Sequence, residues 1–204
     1  MIQKCINYGE INGSGMYRGG IVGYLRGTVD SCVNRANFSG TMNTNRVGGI
    51  CGHCRINSVI TNCYNTGNGT SNGAMISGIV GDCENQIRIE NCYSVVRFFG
   101  SSSSLGYPIY RTAIVNVNNC YYDGDVSQKT DSNGENWHTS DMKTEQFVNA
   151  LGDAYKMDTE HINGRYPILK WETAVTNPFD EKEGKEGDKE IGDENMGELV
   201  EKMP

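Results

Sequence analysis

Gly19-Gly20-Ile21-Val22-Gly23, Gly48-Gly49-Ile50-Cys51-Gly52 and Ser77-Gly78-Ile79-Val80-Gly81 are three copies of one block. From Gly20 to Gly49 to Gly78 the spacing is 29 and 29 residues. A second block ends on cysteine: Ile2-Gln3-Lys4-Cys5, Val29-Asp30-Ser31-Cys32, Ile60-Thr61-Asn62-Cys63, Ile89-Glu90-Asn91-Cys92 and Val117-Asn118-Asn119-Cys120. Its cysteines lie 27, 31, 29 and 28 residues apart. A fixed period of this length marks a stacked repeat architecture.

The apolar groups between the punctuating Gly and Asn residues are short, which favours strands over helices. Gly23, Gly52 and Gly81 would each weaken a helix by about 1 kcal/mol. Gly and Asn both tolerate positive φ, as tight corners between strands require. The pattern predicts an all-β chain: a parallel β-solenoid of about five coils over residues 1–127. Gly20, Gly23, Gly49, Gly52, Gly78 and Gly81 are its repeat glycines. In Val29-Asp30-Ser31-Cys32 the two apolar ends are three apart, so strict alternation puts them on opposite faces. Both can point inward only if the backbone bends at the polar pair between them. The degenerate Gly106-Tyr107-Pro108-Ile109 and the Ser101–Ser104 run mark a weaker fourth coil.

Cys5, Cys32, Cys63, Cys92 and Cys120 share one repeat position and are expected to form a structural core column, acting as small hydrophobes. Five thiols in one row cannot all pair, and side chains on parallel rungs rarely meet disulfide torsion. Cys51-Gly52-His53-Cys54 matches a thioredoxin-like tetrapeptide. That chemistry needs a helix N-terminus after a strand, whereas this motif sits inside the glycine block. No second ligand pair at zinc spacing accompanies it. Neither a metal nor a cofactor is expected.

After Cys120 the pattern changes. Ser140–Gly152 reads as a helix, with Thr139 or Ser140 as its start and Gly152 as its end. Phe147, Val148, Leu151, Ala154 and Tyr155 fall on one face. Tyr166–Trp171 reads as a final strand. Residues 128–177 are expected to form a small α+β cap over the solenoid's last rung, whose backbone and apolar rows need cover. Of the formal charge of −7, residues 180–202 carry −6, through ten acids and four lysines. That composition predicts a disordered acidic linker over residues 178–204. A net acidic chain is a poor nucleic-acid binder, and no apolar run is long enough to insert in a membrane as a helix.

Taken together, these blocks resemble the GLUG-motif repeats of bacterial surface proteins. The likeness is fullest at Ser77–Gly81 and at Asn62-Cys63-Tyr64-Asn65-Thr66-Gly67, and it spans roughly residues 2–172. Similar repeats occur in immunoglobulin A protease-like and adhesin-like proteins. The resemblance implies a secreted or wall-attached, non-catalytic region, with further domains in the same polypeptide. A chain that begins inside a repeat also reads as a fragment, which would account for the missing leader.

Three functions compete. The first is a stalk or adhesive face that meets a host or matrix glycan or protein. Here the outward-facing Tyr64, Tyr93, Tyr121 and Tyr122 are the candidate ligand contacts, or else they pack along the solenoid flank. The second is the accessory region of a surface peptidase; the chain has no His-Glu-x-x-His motif. The third is a polysaccharide lyase or hydrolase, which needs clustered carboxylates on one face. Asp30 and Glu90 share a repeat position, but Thr61 occupies the rung between them, and Asp82 reads as isolated.

Overall fold

The glycine and cysteine blocks fold into a succession of very short strands, each stacked on its counterpart one repeat away. The computed structural model describes residues 1–102, 105–111, 115–129 and 134–173. The predicted acidic linker, 178–204, lies outside them. The first coil holds strands Ile2–Gln3, Ile6–Asn7, Tyr17–Gly19 and Val22–Leu25. The second holds Thr28–Asp30, Val33–Asn34, Phe38–Gly40, Arg46–Gly48 and Cys51–Cys54. Val59–Thr61, Tyr64–Asn65, Gly69–Ser71, Met75–Ser77 and Val80–Cys83 repeat that order in the third. The fourth is Ile87–Ser94, Phe98–Phe99 and Gly106–Tyr107, with Tyr110 bridging to Val80.

Pairing between coils is parallel, in the expected register. Ile2, Val29, Ile60, Ile89 and Val117 align across five rungs. The coil count is lower than the cysteine blocks suggest. Four turns close, and Val115–Asp123 opens a fifth that the chain abandons at a short helix, Gly124–Ser127. Five cysteine blocks against three full glycine blocks account for the difference: the last rung has no glycine block to bring the chain back.

The predicted bend before each cysteine is present. Lys4, Ser31, Asn62, Asn91 and Asn119 all take positive φ, between 48° and 54°. One left-handed residue flips the alternation, so Val29 and Cys32, Ile60 and Cys63, and Ile89 and Cys92 all enter one core. Asparagine is favoured there because it tolerates this backbone best after glycine. Its side chains also form a ladder along the corner: Asn119 Nδ2 donates to Asn91 Oδ1 at 3.1 Å, and Asn62 Nδ2 to Asp30 Oδ1 at 2.7 Å.

The repeat glycines serve another purpose than the one expected. None of the six has positive φ; they sit where backbones or side chains come too close for a Cβ. A Cβ on Gly20 would stand 2.5 Å from Asn34 Oδ1, and one on Gly49 would stand 2.5 Å from the Asn65 side chain. Those two asparagines are fully buried, and with the half-buried Asn7 they form a second ladder. Asn7 Nδ2 donates to Asn34 Oδ1 at 2.8 Å, and Asn34 Nδ2 to Asn65 Oδ1 at 2.7 Å. Apart from the main core lies a smaller cluster of Phe38, Val47, Ala74, Ile76 and Val96. The glycine block and the Cys-x-Asn block are thus two halves of one packing unit.

Cys32, Cys63, Cys92 and Cys120 are buried, as are Cys51, Cys54 and Cys83. Cys5 departs from the expected column: it is exposed, because the first coil stacks against a neighbour on one side only. Burial pushes the Cys63, Cys92 and Cys120 thiols well above their ordinary value. Cys83 is pushed up to about 12, also chiefly by burial.

The C-terminal segment differs from the predicted end cap. Among its described residues, only Glu135–Trp137 extends the sheet, pairing in parallel with Tyr121–Asp123. The rest lies along the solenoid's flank, reaching back to Arg35 in the second coil through a 2.7 Å ion pair with Glu172. The predicted helix is shorter: a 3-10 turn spans Asp141–Lys143, Thr144 is extended, and the helix proper is Glu145–Leu151. Thr144 caps it by accepting from the Phe147 amide, and Gly152 (φ 97°) ends it. An antiparallel pair, Tyr155–Lys156 with Ile168–Leu169, completes the segment.

Candidate functional site

The four tyrosines expected as ligand contacts are not on the surface. Tyr64 and Tyr93 are fully buried, and Tyr121 and Tyr122 nearly so. Tyr122 points into the main core. Tyr64, Tyr93 and Tyr121 do leave the coil outward, in register from rung to rung, but the C-terminal segment covers them. Tyr64 and Tyr93 stack at 4.8 Å, and Phe147 meets Tyr93 and Tyr121 edge-on.

Their hydroxyls are taken up by that cover. Tyr64 Oη donates to the Glu172 carboxylate at 2.9 Å and accepts from Arg35 Nη2 at 2.9 Å. Burial raises Glu172, while the Leu169 amide, Arg35 and Tyr64 favour its ionised form. Tyr93 Oη donates to the Pro167 carbonyl and accepts from Asn163 Nδ2. Tyr155 Oη reaches the carbonyls of Cys63 and Asn91. This row is a docking seam within the chain. Tyr121 also borders a hollow of about 400 Å³ at the end of the solenoid, beside Val117, Cys120 and Glu135.

A second aromatic row stands elsewhere, which the sequence reading passed over. At the glycine blocks two sheets fold against each other so tightly that their backbones touch. A Cβ on Gly19 would lie 2.7 Å from the Gly52 nitrogen, and one on Gly52 would lie 2.4 Å from that of Arg18. The outer rim of this fold carries Tyr17 and Arg46 on one sheet, and Tyr24, His53 and Asp82 in register on the other. The rings converge: Tyr17–His53 at 4.7 Å, Tyr24–His53 at 5.5 Å and nearly parallel, Tyr17–Tyr24 at 5.5 Å. Tyr17 is 36% exposed and Tyr24 47% exposed.

Charge at this rim is internally matched. Arg46 Nε pairs with Asp82 Oδ2 at 3.2 Å, and Arg55 Nε with Glu84 Oε1 at 2.8 Å. Arg55 Nη1 also donates to Tyr24 Oη at 2.8 Å. Asp82 is therefore not isolated, as the sequence suggested. His53 Nδ1 is buried and has no hydrogen-bond partner among the described residues; Asp82 Oδ2 lies 3.8 Å away, beyond hydrogen-bond reach. The signal for this site was the outward parity of Tyr24 and His53, one repeat apart. Tyr17 could not be assigned to it without knowing how sharply the glycine block turns.

The other candidates resolve locally. Asp30 is partly desolvated, which raises its pKa. Hydrogen bonds from Gln3, Asn62, Thr61 and Ser31 outweigh this and hold the carboxyl below its ordinary range. Thr61 stands in register between Asp30 and Glu90. The Cys51-Gly52-His53-Cys54 motif is a strand with both thiols inward, 3.4 Å apart and buried. The hydrogen bond with Cys51 and burial both raise the Cys54 thiol, and the strand leads to another strand, Val59–Thr61, in place of the helix N-terminus that thioredoxin-like activation needs. Among the described residues, no group of three or more His, Cys, Asp or Glu side chains could hold a metal.

One solved structure shares this architecture. A Bacteroides ovatus protein described as a "putative immunoglobulin A1 protease" superposes with a TM-score of 0.67 at 24% identity. The match covers 84% of this chain and 58% of that one, so the chain spans little more than half of that protein's length. At this identity the likeness is one of fold. No protein-family model matches the sequence, and no curated protein does.

Proposed function

We propose that this chain is a non-catalytic repeat module of a secreted or cell-surface bacterial protein, serving as a stalk, as an adhesive face, or as both. On this reading its repeats are of the GLUG kind, and the whole protein is extracellular or wall-attached with further domains. The partner is a host or matrix glycan or protein. The observation that supports the reading is how the repeat uses its residues. Recurrent Gly, Asn, Cys and Tyr positions are spent on stacking coils and docking the C-terminal segment. The exposed aromatic rim of Tyr17 and Tyr24 is left facing solvent.

The test is a binding screen of the purified chain against immobilised glycans and matrix proteins. Saturable binding is expected; uniform silence would reduce the role to a spacer. Release of unsaturated sugars from pectin-like glycans would overturn the non-catalytic reading. A second reading, the accessory region of a surface peptidase, is favoured by the solenoid shared with the Bacteroides ovatus protein and by that protein's greater length. Cleavage of immunoglobulin A by the full-length polypeptide but not by this chain would establish it.

A further inference from the structure

We infer that the rim formed by Tyr17, Tyr24 and His53 is a saccharide-binding subsite, selective for an uncharged pyranose chain. The inference rests on the adhesive reading above and adds to it a site and a ligand class.

Three observations converge on this. First, the rings form one continuous strip across two rungs, with centroid separations of 4.7 to 5.5 Å, and two of them are substantially exposed. A tyrosine ring presents a negative face. The C–H face of a pyranose is weakly positive and flat, so the two surfaces suit each other. Second, the glycine-to-glycine contact locks two sheets together directly behind the strip, so the backbone that carries the rings is held in place. Small-ligand sites are usually pre-formed, with a few placed polar groups beside the apolar surface. Third, the flanking charges cancel: Arg46 is paired with Asp82, and Arg55 with Glu84. An acidic sugar would have to break a guanidinium from its carboxylate, and a basic sugar would have to do the reverse. A neutral sugar needs neither, and its hydroxyls can bridge the carboxylates and guanidiniums in place. The other outward aromatic row offers none of this, because the C-terminal segment lies on it.

The test is titration of the full chain with cellohexaose, maltohexaose and mannohexaose as neutral probes. Hexagalacturonate and chitosan hexamer serve as charged ones, and binding is followed by tyrosine-ring NMR shifts. At least one neutral hexamer should bind saturably and move the Tyr17 and Tyr24 ring signals. Tyr24→Ala and Tyr17→Ala should each weaken that binding about tenfold, comparable to one lost aromatic contact. Tyr24→Phe, which keeps the ring, should stay within about twofold of the parent. Phe99→Ala, exposed on another sheet, should change nothing. Thermal unfolding of each variant separates lost binding from lost fold. Binding that Tyr17→Ala and Tyr24→Ala leave untouched would overturn this site while leaving the adhesive reading standing. Binding of a charged hexamer alone would overturn the neutral selectivity. Silence towards all five probes would overturn the inference, and the matrix-protein screen would then judge the adhesive reading separately.

Discussion

Two rows of aromatic side chains leave the solenoid outward, Tyr17, Tyr24 and His53 from its first two coils and Tyr64, Tyr93 and Tyr121 from the later ones, and their fates differ. Tyr64, Tyr93 and Tyr121 are sealed under Phe147, Tyr155 and Tyr166, while Tyr17 and Tyr24 stay in solvent beside His53. Tyr64, Tyr93 and Tyr121 stand in parallel register from rung to rung, as do Tyr24 and His53, whereas Tyr17 joins them from the neighbouring sheet. What separates them is a segment distant in sequence that docks on one face and leaves the other bare. An outward aromatic row in a solenoid is therefore an open question until the rest of the chain is placed: seam or binding face.

The comparison can be broken most strongly in the sealed row. Tyr93→Ala removes a fully buried ring and the hydroxyl that meets Pro167 and Asn163. It should cost about 3–5 kcal/mol in urea unfolding, like other large buried aromatics. A cost below about 1 kcal/mol would mean the segment is loosely held. Glu172→Ala comes next, because it strands buried partners in Arg35, Tyr64 and the Leu169 amide. About 3 kcal/mol is expected, together with faster proteolysis between the solenoid and residue 172. Retained protease resistance would contradict the seam.

Asn65→Ala tests the scaffold shared by both rows. It leaves Asn34 Nδ2 with one acceptor fewer and the Gly67 amide with none of its side-chain partner. About 2 kcal/mol should be lost; a neutral result would deny the ladder its role. Tyr24→Ala in the open row should change stability by no more than about 0.5 kcal/mol, so that its effect falls on ligand binding alone. A large loss of stability would make the open row structural too.

The thiols sharpen the same contrast between sealed and open positions. In native protein Cys5 should react promptly with a thiol reagent, and the buried seven only on unfolding. Fast labelling of more than one thiol would refute the core column. Cys63, Cys92 and Cys120 have raised folded-state values. Folded protein therefore holds their protons longer than unfolded chain does. Stability from this source is complete below the free-thiol value of about 8.5 and falls as pH rises above it. Urea midpoints should thus drop on the alkaline side of that value and stay flat just below it.

Much of the scaffold could be read from the sequence, because its causes are local and repeated. The 29-residue period gave the solenoid, and Val29-Asp30-Ser31-Cys32 gave the bend, since only a break in alternation lets both ends enter one core. The coil count was overestimated at Cys120, where a cysteine block recurs without the glycine block that would return the chain. The glycines' purpose was also hidden. Close approach to Asn34 and Asn65 is a contact between different parts of the coil, and composition shows only that glycine is present.

The candidate site was less legible. A strand that sends Cys63 and Cys92 inward sends the next residues, Tyr64 and Tyr93, outward, and by the same rule Tyr122 turns inward; but parity separates inside from outside and not covered from uncovered. For Tyr17 and Tyr24 the sequence offered an outward tyrosine on each side of a glycine block. Only the angle of that block brings them together. The sequence by itself determined the repeat, its parallel stacking and its inward cysteine column, because each rung meets a copy of itself. Only the tertiary structure decided which outer face is buried, because that depends on Phe147, Tyr155 and Glu172, residues outside the repeat that meet Tyr64 and Tyr93 only after the chain has folded back.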